Sequence, residues 1–331
     1  MASGKKTAFS GVKPSGDLHL GNYLGALKQF STLQEAYETY FAIVDLHAIT
    51  VPQEPELLRK RTLDIAALYI ACGLDPKQTT LFVQSHVPAH AELGWILSTL
   101  TPLGELERMT QFKEKSEKSG VLAGLLNYPT LMAADILMYQ TDTVPVGEDQ
   151  LQHLELARTI ARKFNHRFGK TFKEPKALLQ KESARVMSLQ YPNKKMSKSD
   201  EDKNGCIELL DAENEIRQKI KIAVTDSGNE IKYEPDAKPA MANLLSIYAT
   251  LGSTSISELE QKYQNKNYAK FKSDLADVVV AALSPIQKKY HDLMKDPSHL
   301  MKILSDGAKQ AGAVAETTMR AVRSKIGLLL P

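Results

Sequence analysis

An alternation constrains this chain more than any other feature. Over roughly the first 190 residues, short β-branched runs take turns with longer segments of helical spacing. "KTAFSG" (6–11), "TYFAIVD" (39–45), "TTLFVQ" (79–84), "DTVPVG" (142–147) and "ARVMSL" (184–189) read as strands. Between them, "LGNYLGALKQFSTLQEAY" (20–37), "PELLRKRTLDIAALYIACG" (55–73) and "EDQLQHLELARTIARKFNHRF" (148–168) repeat apolar residues at helical intervals. Such a pattern predicts an α/β fold, a Rossmann-like doubly wound parallel sheet covered on both faces. Ligands of these sheets bind outside the carboxyl ends of the strands. That rule sets "SGVKPSG", "DLHAIT", "QSHVP" and "VGEDQ" along one edge.

After residue 205 the strand signals fade. "LLDAENEIRQKIKIAV", "MANLLSIYATLG", "SISELEQKY", "FKSDLADVVVAALSPIQKKYHDLM" and the stretch from 298 to about 326 all read as helices. The expected division is an α/β part at 1–192, a lysine-rich loop at 193–205 and a helical domain at 206–331, its last helix packing back on the first part. A chain of 331 residues has room for two domains. Its 43% hydrophobic and 24% charged residues are ordinary for a soluble globular protein. A net charge of +3 permits a nucleic-acid partner without requiring one. The N-terminal "MASGKKTAFSG" lacks a long apolar stretch, and no run approaches a membrane span, "DVVVAALSPI" being far too short. Cys72 and Cys206 sit in no metal-ligand spacing, so a reducing cytoplasm is the expected location.

Two segments carry chemistry. In "SGVKPSGDLHLGNYLGAL" (10–27) a strand ends in a Pro-Ser-Gly turn and enters a helix through His19, Gly21 and Asn22. Helix N-termini offer unpaired N–H groups and the positive end of the dipole to phosphates. Gly21 lets a flat base approach, and His19 and Asn22 can donate to phosphate oxygens. The second segment, "NKKMSKSDED" (193–202), sets Lys194, Lys195 and Lys198 around Met196 with neither helical nor strand periodicity. Locally each has a plain explanation, a capped helix and a solvated loop.

Together they resemble the paired signature of class I aminoacyl-tRNA synthetases. Residues Lys195 to Ser199 match the Lys-Met-Ser-Lys-Ser motif throughout. The first motif matches at His19 and Gly21, while Asn22 replaces the usual second histidine, a departure common in the tryptophanyl and tyrosyl branch. "DLHAIT" (45–50), "GELERMTQFKEK" (104–115), "YPTLMAADILMYQTDTVPVGEDQLQHLELAR" (128–158) and "NKKMSKSD" extend the resemblance, in order, to the bacterial tryptophanyl-tRNA synthetases over essentially the whole chain.

The resemblance implies a tryptophan–tRNA ligase using ATP, L-tryptophan and tRNA(Trp). Activation needs the amino-acid carboxylate to attack the α-phosphate of ATP and expel pyrophosphate, so positioned cations supply most of the catalysis. By resemblance His19, Asn22, Lys195, Lys198 and Lys115 carry the chemistry. ATP would meet Lys13, Ser15, Gly21, Asn22, Gln111, Gly147, Glu148, Asp149, Val186, Lys195, Met196, Ser197 and Lys198, with Mg2+ accompanying its phosphates. Tryptophan would meet Phe9, Gly11, His47, Tyr128, Met132, Asp135, Ile136, Val144, Val146 and Gln150. Asp135 stands out on chemical grounds too. A carboxylate amid the apolar helix "YPTLMAADILMY", expected to start near Pro129, is costly to bury without a donor. Indole offers one N–H, and an ionised Asp only accepts. Lys13 and His19 depart from the Gln and Thr common in bacterial members, each adding a donor or a charge beside the phosphates.

Plainer readings accompany these. "QFKEK" (111–115) suits a solvated helical face, and "VGEDQ" an acidic helix start worth about 0.3–1 kcal/mol per carboxylate. His86 and His90 have i,i+4 spacing, but Pro88 and the missing third ligand argue for hydrogen-bonding loop or surface residues. His153, His166, His291 and His299 receive no role. Arg217, Lys219 and Lys221 form the most compact basic cluster of the helical part, and read mainly as a polar helix face. The family further implies anticodon recognition by the helical domain and a homodimer bridged by tRNA. Tyrosyl-tRNA synthetase is the nearest alternative, disfavoured by "LMAADILMY" and "VPVGEDQ". A small-molecule nucleotidyltransferase would not need the lysine loop, and a non-catalytic RNA-binding relative would not need His19, Lys195 and Lys198.

Overall fold

Strands β1 (Thr7–Val12), β2 (Glu38–Ile43), β3 (Thr79–Val83), β4 (Thr143–Val146) and β5 (Lys176–Leu179) form one parallel sheet in the order β3-β2-β1-β4-β5. The computed structural model describes residues 4–14, 16, 18–110, 112, 122–147, 150–179, 186–197 and 202–330. Successive residues of β2 face opposite sides. Tyr40 and Ala42 join one hydrophobic core, and Phe41 and Ile43 join the other. Both faces are therefore covered, the usual condition for a parallel sheet. Strand order reverses between β1 and β4, which opens a crevice at their carboxyl ends.

Helix α1 begins at Leu20–Asn22, passes through a π-helical stretch at Tyr23–Leu27 and ends as Lys28–Ala36. There follow α2 (Asp45–Ala48), α3 (Pro55–Ala71), α4 (Ala89–Ser98), α5 (Leu103–Glu107), α6 (Ala123–Met138) and α7 (Leu151–Phe168). The helical part comprises α8 (Glu213–Ile222), α9 (Pro239–Gly252), α10 (Ile256–Lys262), α11 (Tyr268–Met294) and α12 (Pro297–Ile326). Among the described residues no helix is long and apolar enough to cross a membrane.

Two expectations need correction. The fifth strand is "KALL", not "ARVMSL". Met187 makes only an isolated antiparallel bridge to Lys195, and residues 184 and 185 lie outside the described residues. The apolar signal of 186–189 reflects burial of Val186 and Leu189 in the core. The true edge strand is largely exposed and shows no period-2 signal. Helix α6 starts at Ala123, so Pro129 lies inside it rather than at its start.

The last helix crosses back over the α/β part. A Cβ at Gly307 would stand 1.9 Å from the Leu81 carbonyl oxygen, so only glycine permits α12 to approach β3 this closely. Farther along, Thr318 Oγ1 donates to Met138 O at 2.8 Å, and Arg323 grips both carboxylate oxygens of Glu92 at 2.7 and 2.6 Å. One core runs from Leu81 and Val83 through Leu244, Leu275 and Leu300, so apolar packing continues across the 205 boundary.

Candidate active site

At the β1–β4 crevice lies a cavity of about 350 Å³, within the size range of small-molecule sites. β1 supplies Phe9, Ser10 and Gly11, followed by Lys13. The end of β2 supplies Val44, His47 and Thr50. Leu125, Tyr128, Met132, Asp135 and Ile136 come from α6, and Val144 to Gly147 from β4. Gln150, His153 and Leu154 close the wall. All ten residues expected around tryptophan line this single cavity, together with Lys13 and Gly147 from the ATP set. Gly11 is needed there, because a Cβ would press Val44 Cγ1 at 3.1 Å.

Asp135 is 1% exposed and is held by three side chains. Gln84 Nε2 donates to both of its oxygens at 2.7 and 2.8 Å, His90 Nδ1 to Oδ1 at 2.7 Å and His47 Nε2 to Oδ2 at 2.9 Å. Burial alone would raise its pKa, but the hydrogen bonds from His47 and His90 outweigh burial and hold it down at about 2. The carboxylate is therefore an anion aimed into an apolar cavity. A proton on His90 Nδ1 leaves Nε2 to accept from the Tyr139 hydroxyl at 2.7 Å. Burial and the charge of Asp135 raise the pKa of Tyr139, so it stays a donor. Gln84 is itself fixed, its Oε1 accepting from Leu46 N at 3.1 Å. Across the cavity Tyr128 and His153 share a hydrogen bond of 2.7 Å, and burial pushes the Tyr128 phenol up to about 12.

His90 is wholly buried, not at the surface, because it is a structural partner of Asp135. Neither Gln84, His90 nor His153 was expected at the site. The signal that could have found His90 is its i,i+4 spacing from His86, which reads instead as a pair of hydrogen-bonding loop or surface residues. Among the described residues no group of three or more His, Cys, Asp or Glu is placed to hold a metal ion.

The two signature motifs meet on the other side of Lys13. His19 N donates to Asn22 Oδ1 at 3.0 Å, and Asn22 N returns to His19 O at 2.8 Å, a local cap of α1. Leu20 N is taken by Ile207 O at 2.8 Å, and Tyr23 N by His19 O at 3.1 Å. The Leu20, Asn22 and Tyr23 N–H groups at the start of α1 are therefore taken within the chain. A Cβ on Gly21 would lie 3.0 Å from the His19 ring and 3.7 Å from Met196 Cβ. Gly21 therefore lets the His19 imidazole fold back, with Met196 of the second motif nearby. Met196 is 2% exposed, a buried plug beneath exposed Lys195. Val186 is buried beside it, with Met196 N donating to Val186 O at 3.0 Å. Lys13 Nζ reaches Thr50 Oγ1 at 3.4 Å. Of the remaining expected residues, Ser197 is half-buried, whereas Ser15, Gln111, Lys115, Glu148, Asp149 and Lys198 lie outside the described residues.

The family described as "tRNA synthetases class I (W and Y)" matches residues 1–284. The chain belongs to that family. It is 53% identical to the tryptophan–tRNA ligase of Caldanaerobacter subterraneus subsp. tengcongensis, over 98% of this chain and 99% of that protein. It is also 53% identical to that of Bacillus subtilis, over 98% of each. The crystal structure of tryptophanyl-tRNA synthetase from Mycoplasma pneumoniae matches with TM-score 0.89 and 37% identity, over 98% of both chains. That of the Campylobacter jejuni enzyme, complexed with ADP and tryptophan, matches with TM-score 0.86 and 38% identity, over 97% of this chain and all of that one, which is covered to 100%.

In the helical part of this synthetase the basic cluster is largely self-paired. Arg217 bonds Glu213 at 2.9 Å and Asp277 at 2.7 Å, and Lys219 bonds Asp211 at 2.6 Å. These ion pairs agree with the polar-face reading.

Proposed function

We infer that this chain activates L-tryptophan with ATP and transfers it to tRNA(Trp), releasing AMP and pyrophosphate. Close similarity to tryptophan–tRNA ligases over nearly the full length supports the activity. The observation in the chain itself that carries the specificity is Asp135, an anion buried in an apolar cavity. An indole N–H offers that anion a donor. Phenylalanine would enter without one, and sites built around a hydrogen bond reject such analogues strongly. The ring would pack among Phe9, Met132, Ile136, Val144 and Val146 over Gly11. Tyr128 and Gln150 would hold the ammonium, with His47 nearby on the cavity wall.

The carboxylate of tryptophan then faces the ATP α-phosphate. Lys13, His19 and Asn22 donate to phosphate oxygens, and Lys195, with Lys198 and Lys115, balances the charge that develops as pyrophosphate leaves. Gly21, Gly147, Val186, Met196 and Ser197 shape the adenosine side, joined by Ser15, Gln111, Glu148 and Asp149. A magnesium ion would enter with the triphosphate and be held by its oxygens.

The division into a catalytic part (1–192), a lysine loop (193–205) and a helical anticodon-recognition part (206–331) belongs to the same reading. So does a cytoplasmic location, which the free thiols of Cys72 and Cys206 support. A homodimer is supported by exposed apolar side chains beside α6. Ile49 and Val51 flank Thr50, which packs on Gly124 next to exposed Leu122, and exposed Trp95 follows Gly94, which packs on Leu131 two turns along the same helix. Sedimentation of Trp95→Glu should show a lighter species than the parent chain, and unchanged sedimentation would remove the support.

Charging assays test the main reading. Asp135→Ala should cripple tryptophan use while sparing ATP binding, and Lys195→Ala should slow activation while leaving tryptophan affinity nearly unchanged. Equal loss of tryptophan affinity in both variants would refute this assignment of roles.

A further inference from the structure

The segment bearing Lys195 has a second anchor, and it lies in the helical part. Met187 and Lys195 form an antiparallel pair, with Ser188 N donating to Lys194 O at 2.8 Å and Met196 N to Val186 O at 3.0 Å. These flanking bonds make Met187–Lys195 a pair whose own backbone groups point away from each other. Both groups of Met187 meet one side chain, that of Asn243 on α9. Its Oδ1 accepts from Met187 N at 2.9 Å, and its Nδ2 donates to Met187 O at 2.9 Å. The amide thus takes the place of a neighbouring strand. Asn243 is 5% exposed and sits between Met241, Leu244 and Leu245, each at most 1% exposed, so its position is set by the packed interior of the helical part. On the opposite flank Met196 packs toward Gly21. The lysine-bearing strand therefore lies between the first motif and the Val186–Ser188 strand, which α9 holds through Asn243.

We propose that Asn243 is a positioning residue for catalysis, fixing the Lys195 backbone relative to His19 through its two-point grip on Met187. The proposal rests on the reading that Lys195 acts on the ATP phosphates. It makes the geometry of the phosphate site depend on where the helical part sits. The asparagine amide offers a donor and an acceptor to one residue's N–H and C=O at once. Leucine fills the space with neither, and aspartate at neutral pH offers acceptors only.

The test is a double-mutant cycle read by tryptophan-dependent pyrophosphate exchange into ATP. Asn243→Leu should lower kcat roughly 10- to 100-fold, the cost of a small misplacement at a reacting site. Tryptophan affinity, measured by equilibrium dialysis, should stay within about twofold because the cavity is untouched. Asn243→Asp should recover part of the lost rate as pH falls and its carboxyl gains a proton to donate. The decisive comparison is the Lys195→Ala, Asn243→Leu double variant. It should be no slower than Lys195→Ala alone, since the grip then has nothing to position. Full additivity of the two losses, or a parallel loss of tryptophan affinity in Asn243→Leu, would overturn the proposal and leave Asn243 a merely structural residue. An active Lys195→Ala variant would instead refute the underlying reading of the loop, so the two failures are distinguishable. Thermal unfolding of each variant separates these outcomes from loss of fold.

Discussion

Asp135→Asn is the most informative single change in the cavity. The wild-type carboxylate takes four contacts between 2.7 and 2.9 Å from Gln84, His47 and His90. In the variant one oxygen becomes an NH2 group that must face a donor. A charge-assisted hydrogen bond is worth about 1.5–3 kcal/mol, a neutral one about 0.5–1.5, and a buried donor left without a partner costs about 1–3. The indole N–H loses its anion and gains at best a neutral acceptor. Tryptophan binding should therefore weaken by about 1–3 kcal/mol, or roughly 5- to 160-fold. The KM for ATP should change by less than about twofold, because no residue of the Asp135 network belongs to the phosphate side. Calorimetric titration with tryptophan gives the first quantity, and pyrophosphate exchange at varied ATP the second. Selectivity over phenylalanine should narrow in the same assay. Unchanged tryptophan affinity, or equal rises in both constants, would refute the role given to the carboxylate.

Other expectations follow from the same structure. Asp135 titrates at about 2 in the fold against 3.8 in the unfolded chain. Its contribution, about 2 kcal/mol, is fully present above pH 4 and is lost as pH falls through that window. Acid unfolding followed by circular dichroism should accordingly be less steep in Asp135→Asn than in the parent between about pH 4 and 2. Gly307→Ala should destabilise the chain by about 3 kcal/mol or more in urea titrations, since its Cβ would fall 1.9 Å from Leu81 O and force α12 off β3. Met196→Ala should slow pyrophosphate exchange and speed tryptic cleavage after Lys194 or Lys195, because the removed side chain is the buried plug of that segment.

The sheet and the residues that line the cavity were legible in the sequence for different reasons. β1, β2 and β3 announce themselves by β-branched and aromatic residues buried on both faces, a local signal. The ten cavity residues were recognisable through family likeness, and their convergence depends on the strand-order reversal between β1 and β4. What escaped were features set by contacts between distant residues. β5 is a short exposed edge without apolar alternation. His90 resembles a loop histidine until Asp135, 45 positions away, is brought beside it. Gln84 and Asn243 are ordinary polar residues in sequence, and only burial against a carboxylate or a strand edge gives them work. The Leu20 N–H reads as open because Ile207, which takes it, arrives from the far side of the lysine loop.

The central claim is that the buried Asp135 cavity and the paired His19 and Lys195 motifs together make tryptophanyl-adenylate. Pyrophosphate exchange into ATP, run with each of the amino acids separately, tests it most directly. Exchange should require tryptophan and fall to background with tyrosine and phenylalanine. Exchange supported by tyrosine, or none with any amino acid, would contradict the account.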